Sequence, residues 1–222
     1  MKAGKKIVRP VPVTDKGLAG LLAQLRDVIQ QGRQQALRAV DVVQVRTCWT
    51  VGRHIVEFEQ GGAARAEYGE NLLESLASRL TVEFGRGFDA SNLYKMRLFY
   101  RLFPNLDALR PELSWTHYRT LLRVEDAKAR EWYMIEAATQ NWGTRALERQ
   151  IGTLYYERLL ASRDRKAVKD EAAAKVVVAN RTPREFVRDP VLLEFLGLPD
   201  TGKLLESKLE DALISNLQAF LL

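Results

Sequence analysis

Apolar side chains recur along this chain every three or four residues, the spacing that collects them on one face of an α-helix. Leu18, Leu21, Leu22, Leu25, Val28 and Ile29 form the first such run, ahead of Gly32. A second run passes through Ala36, Leu37 and Val40, then Trp49, Ile55 and Phe58, and stops at Gly61-Gly62, a strong helix breaker. Within it, Val42-Val43-Gln44-Val45 is β-branched enough for a strand. The apolar pattern holds its helical register on either side, which favours a helix. Leu72, Leu73, Leu76 and Leu80 stripe a helix predicted over 69–84. Gly85-Arg86-Gly87 closes it, since glycine readily takes the left-handed conformation at a helix end.

Asp89 stands where an N-cap belongs, its carboxylate able to accept the free amide protons of a first turn. The helix after it carries Leu93, Met96, Phe99, Tyr100 and Phe103 inward and stops before Pro104. Ser114 is predicted to cap a short helix from Trp115 to about Arg123. Residues 126–140 make another, and Thr144 caps a last one through about Ser162. From Lys166 the chain becomes charged and alanine-rich, with Thr182-Pro183 and Asp189-Pro190 beyond. Leu204 to Leu222 is amphipathic again, with Leu209, Leu213, Leu217 and Phe220 on one side, and runs uncapped to the last residue. The predicted fold is all-α: a multi-helix domain over 14–165 containing a helix-turn-helix-like unit, a partly helical linker over 166–203, and a C-terminal helix over 204–222.

Charge adds a direction. The formal net charge is +6, yet residues 166–222 carry eight Lys or Arg against nine Asp or Glu, so the excess lies in the first 165 residues. A basic surface suits a polyanion, because each cation near a phosphate releases condensed counterions. Other classes recede. Cys48 is the only cysteine, and His54 and His117 are the only histidines, which leaves no Cys/His zinc cluster and no disulfide framework. His117 has no serine or cysteine partner at a recognisable catalytic spacing. No run approaches the roughly 20 apolar residues of a membrane span, and the basic start lacks a signal peptide's apolar stretch. The expectation is a cytoplasmic protein with no membrane contact and no small-molecule cofactor.

The stretch 69–103 reads as helix, short glycine-containing break, helix: the sequence shape of a helix-turn-helix. In such a unit the second helix enters the major groove and its first turns meet base edges. Here those positions are Ser91, Asn92 and Lys95, followed by Arg97 and Arg101, with Arg86 in the turn beside a backbone phosphate. Asparagine can pair twice with adenine; lysine and arginine reach guanine or phosphate. Ser114 to Arg119 mixes aromatic and basic side chains. Trp115 and Tyr118 are expected in the core, with Arg119 and Arg123 on the surface. Arg145 and Arg149, four residues apart, share a face that offers a second phosphate contact.

The string Gly85-Arg86-Gly87-Phe88, Ser91-Asn92-Leu93-Tyr94-Lys95-Met96-Arg97-Leu98-Phe99-Tyr100 and Phe103-Pro104 closely resembles a signature of YhcG-type proteins. So do Leu113 to Val124, Trp142, Arg145 to Ile151, Tyr156 to Leu159, the Trp49 to Ile55 run, and Asp189-Pro190 with Leu193 to Leu198. The resemblance implies a helical N-terminal domain thought to bind DNA, followed by a nuclease domain of the PD-(D/E)XK type. It places residues 204–222 on the helix that opens the nuclease domain, with Glu210 as a possible member of its site. The complete nuclease would use Mg²⁺; the strands bearing the other ligands are missing from this chain, which is therefore expected not to cut DNA alone. DNA is the expected partner. A helical protein-interaction or dimerisation module is the alternative, and a homo-oligomer stays open.

Overall fold

The computed structural model describes residues 15–61, 71–84 and 86–176. Eight α-helices follow one another among them, with no strand: α1 (Asp15–Gln60), α2 (Leu72–Phe84), α3 (Ala90–Leu102), α4 (Trp115–Leu121), α5 (Ala127–Thr139), α6 (Thr144–Gly152), α7 (Tyr155–Ala161) and α8 (Arg165–Val176). The all-α expectation holds. The chain divides into two compact units, Met1–Leu37 and Arg38–Leu222. In the first, the apolar residues from Leu18 to Ile29 are exposed. In the second, a core gathers around Leu93, Phe99, Trp115, Tyr118, Leu121 and Leu147.

Two predicted boundaries fail for physical reasons. Gly32 does not end a helix, and α1 runs through it for 46 residues. A lone interior glycine costs only about 1 kcal/mol against alanine, too little to break a run flanked by glutamine, arginine and alanine. The helix expected over 144–162 is two helices. Leu154 takes the left-handed conformation, φ 52°, and starts α7 on a new axis. Gly143, not Thr144, stands at the N-cap of α6. Val42 to Val45 is helical, as the register argued.

Capping works where the sequence placed it at α3. The Asp89 carboxylate accepts the Asn92 amide proton at 2.8 Å. At α4, Ser114 and His117 form a reciprocal capping box. The Ser114 amide can only donate, so His117 Nδ1 accepts it at 3.1 Å. The ring proton then sits on Nε2, which donates to the Trp142 carbonyl at 2.9 Å. The buried imidazole thereby joins α4 to the turn before α6. The buried Arg130 guanidinium donates to the carbonyls of Val124 (2.7 Å) and Glu125 (3.3 Å) and closes the α4–α5 connection.

Aromatic side chains fill the centre. Phe99 meets Tyr118 at 4.8 Å and Trp115 at 5.2 Å between ring centroids, tilted contacts that add to simple burial. Trp132 gathers Tyr133, Tyr155 and Tyr156 in a second cluster. The Tyr133 hydroxyl receives the Tyr156 amide at 3.0 Å, and burial pushes its pKa up to about 12. The first part of the stretch read as a partly helical linker over 166–203 falls in α8 (Arg165–Val176), which packs on α6 and α7. The buried Gln150 amide donates to the Ala172 carbonyl at 3.1 Å and fixes it there. The rest of that linker and the segment 204–222, Glu210 included, lie outside the described residues.

The backbones of α1 and α3 come into contact at Gly52. A Cβ added to Gly52 would fall on the Met96 carbonyl oxygen, so only glycine lets these two backbones touch. Gly52→Ala should therefore cost on the order of 2 to 3 kcal/mol, as overpacking does. Gly32→Ala, with nothing near the added methyl, should raise helicity without lowering the melting temperature. Thermal melts followed by circular dichroism check both. An unchanged melt for Gly52→Ala would mean the crossing is looser than described.

Candidate nucleic-acid interface

An α-helix turns about 100° per residue, so positions two apart lie almost on opposite flanks. On α3, Asn92, Leu93, Met96 and Phe99 are buried and define the inward face. Lys95 and Arg97 consequently stand on opposite flanks of it, and Ser91 and Tyr94 stand on the outer face, both exposed.

The Arg97 flank is occupied by α1. Arg97 donates to Glu59 Oε1 at 2.7 Å, and Arg101 reaches Glu59 Oε2 at 3.2 Å. Glu59 and Arg97 are both about four-fifths covered, so this pair is better shielded from solvent than a surface ion pair. On the same side, Trp49 Nε1 donates to the Phe103 carbonyl at 2.7 Å and its ring meets Tyr100 edge-on. These contacts tie α1 to the C-terminal half of α3.

The Lys95 flank faces α4 and meets cations instead. Partial burial and the positive charges of Arg119 and Arg123 lower the Lys95 pKa from the ordinary lysine value, while Asp89 opposes the shift. No ion pair holds Lys95 or Arg119 among the described residues. Arg123 does have a partner, Glu148 of α6 at 3.1 Å, but both groups are more than 60% exposed. Such a pair contributes about 0 to 1 kcal/mol and yields readily to a stronger anion. Arg145 lies one turn before Glu148 on the exposed side of α6. The arrangement brings Lys95, Arg119 and Arg123 together at the α3–α4 edge, a concentration of positive charge that suits an anionic ligand.

Three comparisons bear on this chain. A family model described as the DUF1016 N-terminal domain matches residues 24–158, and an Escherichia coli (strain K12) protein named "Putative nuclease YhcG" is 36% identical over 227 residues. The chain belongs to the YhcG family. That alignment covers 88% of this chain and 60% of the relative, so the chain spans less than two thirds of the relative's length. No solved structure matches. The YhcG-family match at 24–158 takes in α2 to α6, most of α1 and the first part of α7, hence the whole α3–α4 edge.

The residues predicted for DNA contact separate into groups. Lys95 and Arg119 come together, Ser91 lies on the adjoining outer face, and Arg145 is exposed on α6. Three depart from expectation. Asn92 is buried, and its amide donates to the Gly87 carbonyl at 2.7 Å, fastening the turn rather than facing outward. Arg97 and Arg101 are held by Glu59 on the far flank. The Arg86 backbone lies in a single 3-10 turn, Arg86–Phe88. Glu210 lies outside the described residues. Among those residues no three His, Cys, Asp or Glu side chains group as a metal site would require, so no step through a metal is derived. No described helix is long and apolar enough to cross a membrane.

Sequence reasoning passed over two members of this surface. Tyr94 is exposed at the head of α3, with the Arg97 guanidinium 5.1 Å from its ring centre. Arg123, in the turn after α4, completes the cluster around Lys95; its place four residues after Arg119 was a readable signal. The role of Glu59 was not readable, because 38 residues separate it from Arg97.

The two flanks should respond differently to mutation. Arg97→Ala leaves the largely buried Glu59 short of a partner and should destabilise the fold by about 1 to 3 kcal/mol. Arg119→Ala should change stability by less than about 0.5 kcal/mol. Urea denaturation of the two variants provides the comparison, and equal midpoints would show that the Glu59 clamp contributes nothing.

Proposed function

We propose that the helical part of this chain is the DNA-targeting domain of a nuclease. In this reading α2, the 3-10 turn and α3 act as a helix-turn-helix, with α3 presented to the major groove by Ser91, Tyr94 and Lys95. Arg119 of α4 and Arg123 in the turn that follows it, with Arg145 and Arg86, hold the flanking phosphates. The observation that carries the reading is the meeting of Lys95 of α3, Arg119 of α4 and Arg123 of the turn after α4, with no ion pair on the first two among the described residues. Structural ion-pair networks place opposite charges together; a cluster of like charges is kept where a polyanion arrives. The name of the Escherichia coli relative, which includes the word nuclease, is consistent with DNA as that polyanion. The cutting chemistry is assigned to a PD-(D/E)XK domain that includes Glu210 and takes Mg²⁺.

Fluorescence anisotropy of a labelled duplex over a salt series tests this. Affinity should fall steeply with salt, and a Lys95→Ala/Arg119→Ala variant should lose at least about tenfold in affinity and flatten the slope by about two phosphate contacts. Because Lys95 releases its proton more readily than an ordinary lysine, binding should weaken as the pH is raised toward the lysine range. Lys95→Arg stays charged and should remove that fall. Binding that both variants leave untouched would reject the α3–α4 edge as the DNA surface.

A further inference from the structure

The buried residues of α3 set its inward direction, and Tyr94 stands almost diametrically opposite it. The residue is 47% exposed, yet its ring is not left loose. The Arg97 guanidinium lies over it, 5.1 Å from the ring centre, within cation–π range. Arg97 in turn donates to Glu59 Oε1 at 2.7 Å. A carboxylate on α1 thus fixes a cation, and the cation backs one face of an outward aromatic ring. The other face is a surface on which a flat group can stack.

We propose that Tyr94 stacks on an unpaired base, so that the DNA preferred by this edge carries a single-stranded gap or end. The proposal rests on the reading of the α3–α4 edge as a DNA surface, and it names the kind of DNA. A paired base within a duplex shows a protein only its edges, because its neighbours cover both faces. Reading edges closely needs side chains that can bond twice, and those of α3 are committed elsewhere. Asn92 is buried with its amide on the Gly87 carbonyl, and Arg97 and Arg101 are held by Glu59. What faces outward beside Lys95 is an aromatic ring, and every base has a face to match it. At an intact duplex Tyr94 meets edges; at a gap it meets a face.

The surroundings suit a nucleotide. Lys95 follows Tyr94 in the chain and stands about 100° round the helix from it, with Arg119 and Arg123 near Lys95. A base on the ring therefore has its backbone phosphates beside the cationic flank. That combination of aromatic face and cations is the one that single-strand binding uses. Because Glu59 and Arg97 hold the ring in place beforehand, little side-chain freedom is lost when the base arrives. One stacked base then raises affinity by about tenfold.

Fluorescence anisotropy of the full chain compares an intact labelled duplex with the same duplex carrying a short single-stranded gap. The gapped form should bind about tenfold more tightly. Tyr94→Ala should bring the two affinities close together, and Tyr94→Phe, which keeps the ring, should preserve the preference. With 5-iodouracil at an unpaired position, irradiation should attach the strand to Tyr94, since that photochemistry favours a stacked aromatic ring. Equal affinities for the two forms, a preference that Tyr94→Ala keeps, or attachment at another residue overturns the proposal. If Lys95→Ala/Arg119→Ala still weakens duplex binding in that case, stacking by Tyr94 falls and the DNA reading stands. No binding to either form overturns both.

Discussion

The contact of α1 with α3 at Gly52 decides which side of α3 meets the outside. Two helix backbones touch there because Gly52 has no side chain to hold off the Met96 carbonyl, and the contact is extended by Trp49 on the Phe103 carbonyl and by Glu59 on two arginines. With one flank given to α1 and the inner face to the aromatic core, the remaining arc holds Ser91, Tyr94 and Lys95. The identity of the exposed residues on α3 thus follows from the absence of a methyl group on a different helix.

The same contact sorts the charges. Glu59 neutralises the arginines on its flank at a place where water is largely excluded, so those arginines serve the fold. On the opposite flank Lys95 meets Arg119 and Arg123 as well as Asp89, and Glu148, the carboxylate paired with Arg123, is exposed. Screening by water makes that pair weak and exchangeable. A phosphate approaching the α3–α4 edge meets Lys95 and Arg119 without an ion pair among the described residues, whereas one approaching the α1 side meets arginines already paired with Glu59. Counterion release then favours the first edge, and the preference does not depend on base sequence.

How far this was readable in advance depends on the range of the interaction. Helix existence followed from apolar period, and the caps at Asp89 and Ser114 followed from residue type, because both are local. The unbroken α1 escaped because one glycine was weighed too heavily against a long favourable run. The break at Leu154 escaped because a leucine with positive φ has no sequence sign. The docking of α8 depends on Gln150 meeting Ala172 across 22 residues. At the candidate surface, residue type alone named Lys95 and Arg119 along with Arg97 and Arg101. Only tertiary packing tells them apart, since the difference is whether a distant glutamate stands opposite. Asn92 likewise has the chemistry of a base reader and the burial of a turn fastener.

The most direct test of this division is an amide and side-chain NMR titration of the chain with a short duplex. The account predicts shifts that centre on Ser91, Tyr94, Lys95, Arg119 and Arg123 and leave Arg97, Arg101 and Glu59 unmoved. Shifts centred on Arg97 and Arg101, or spread evenly over both flanks of α3, would contradict it.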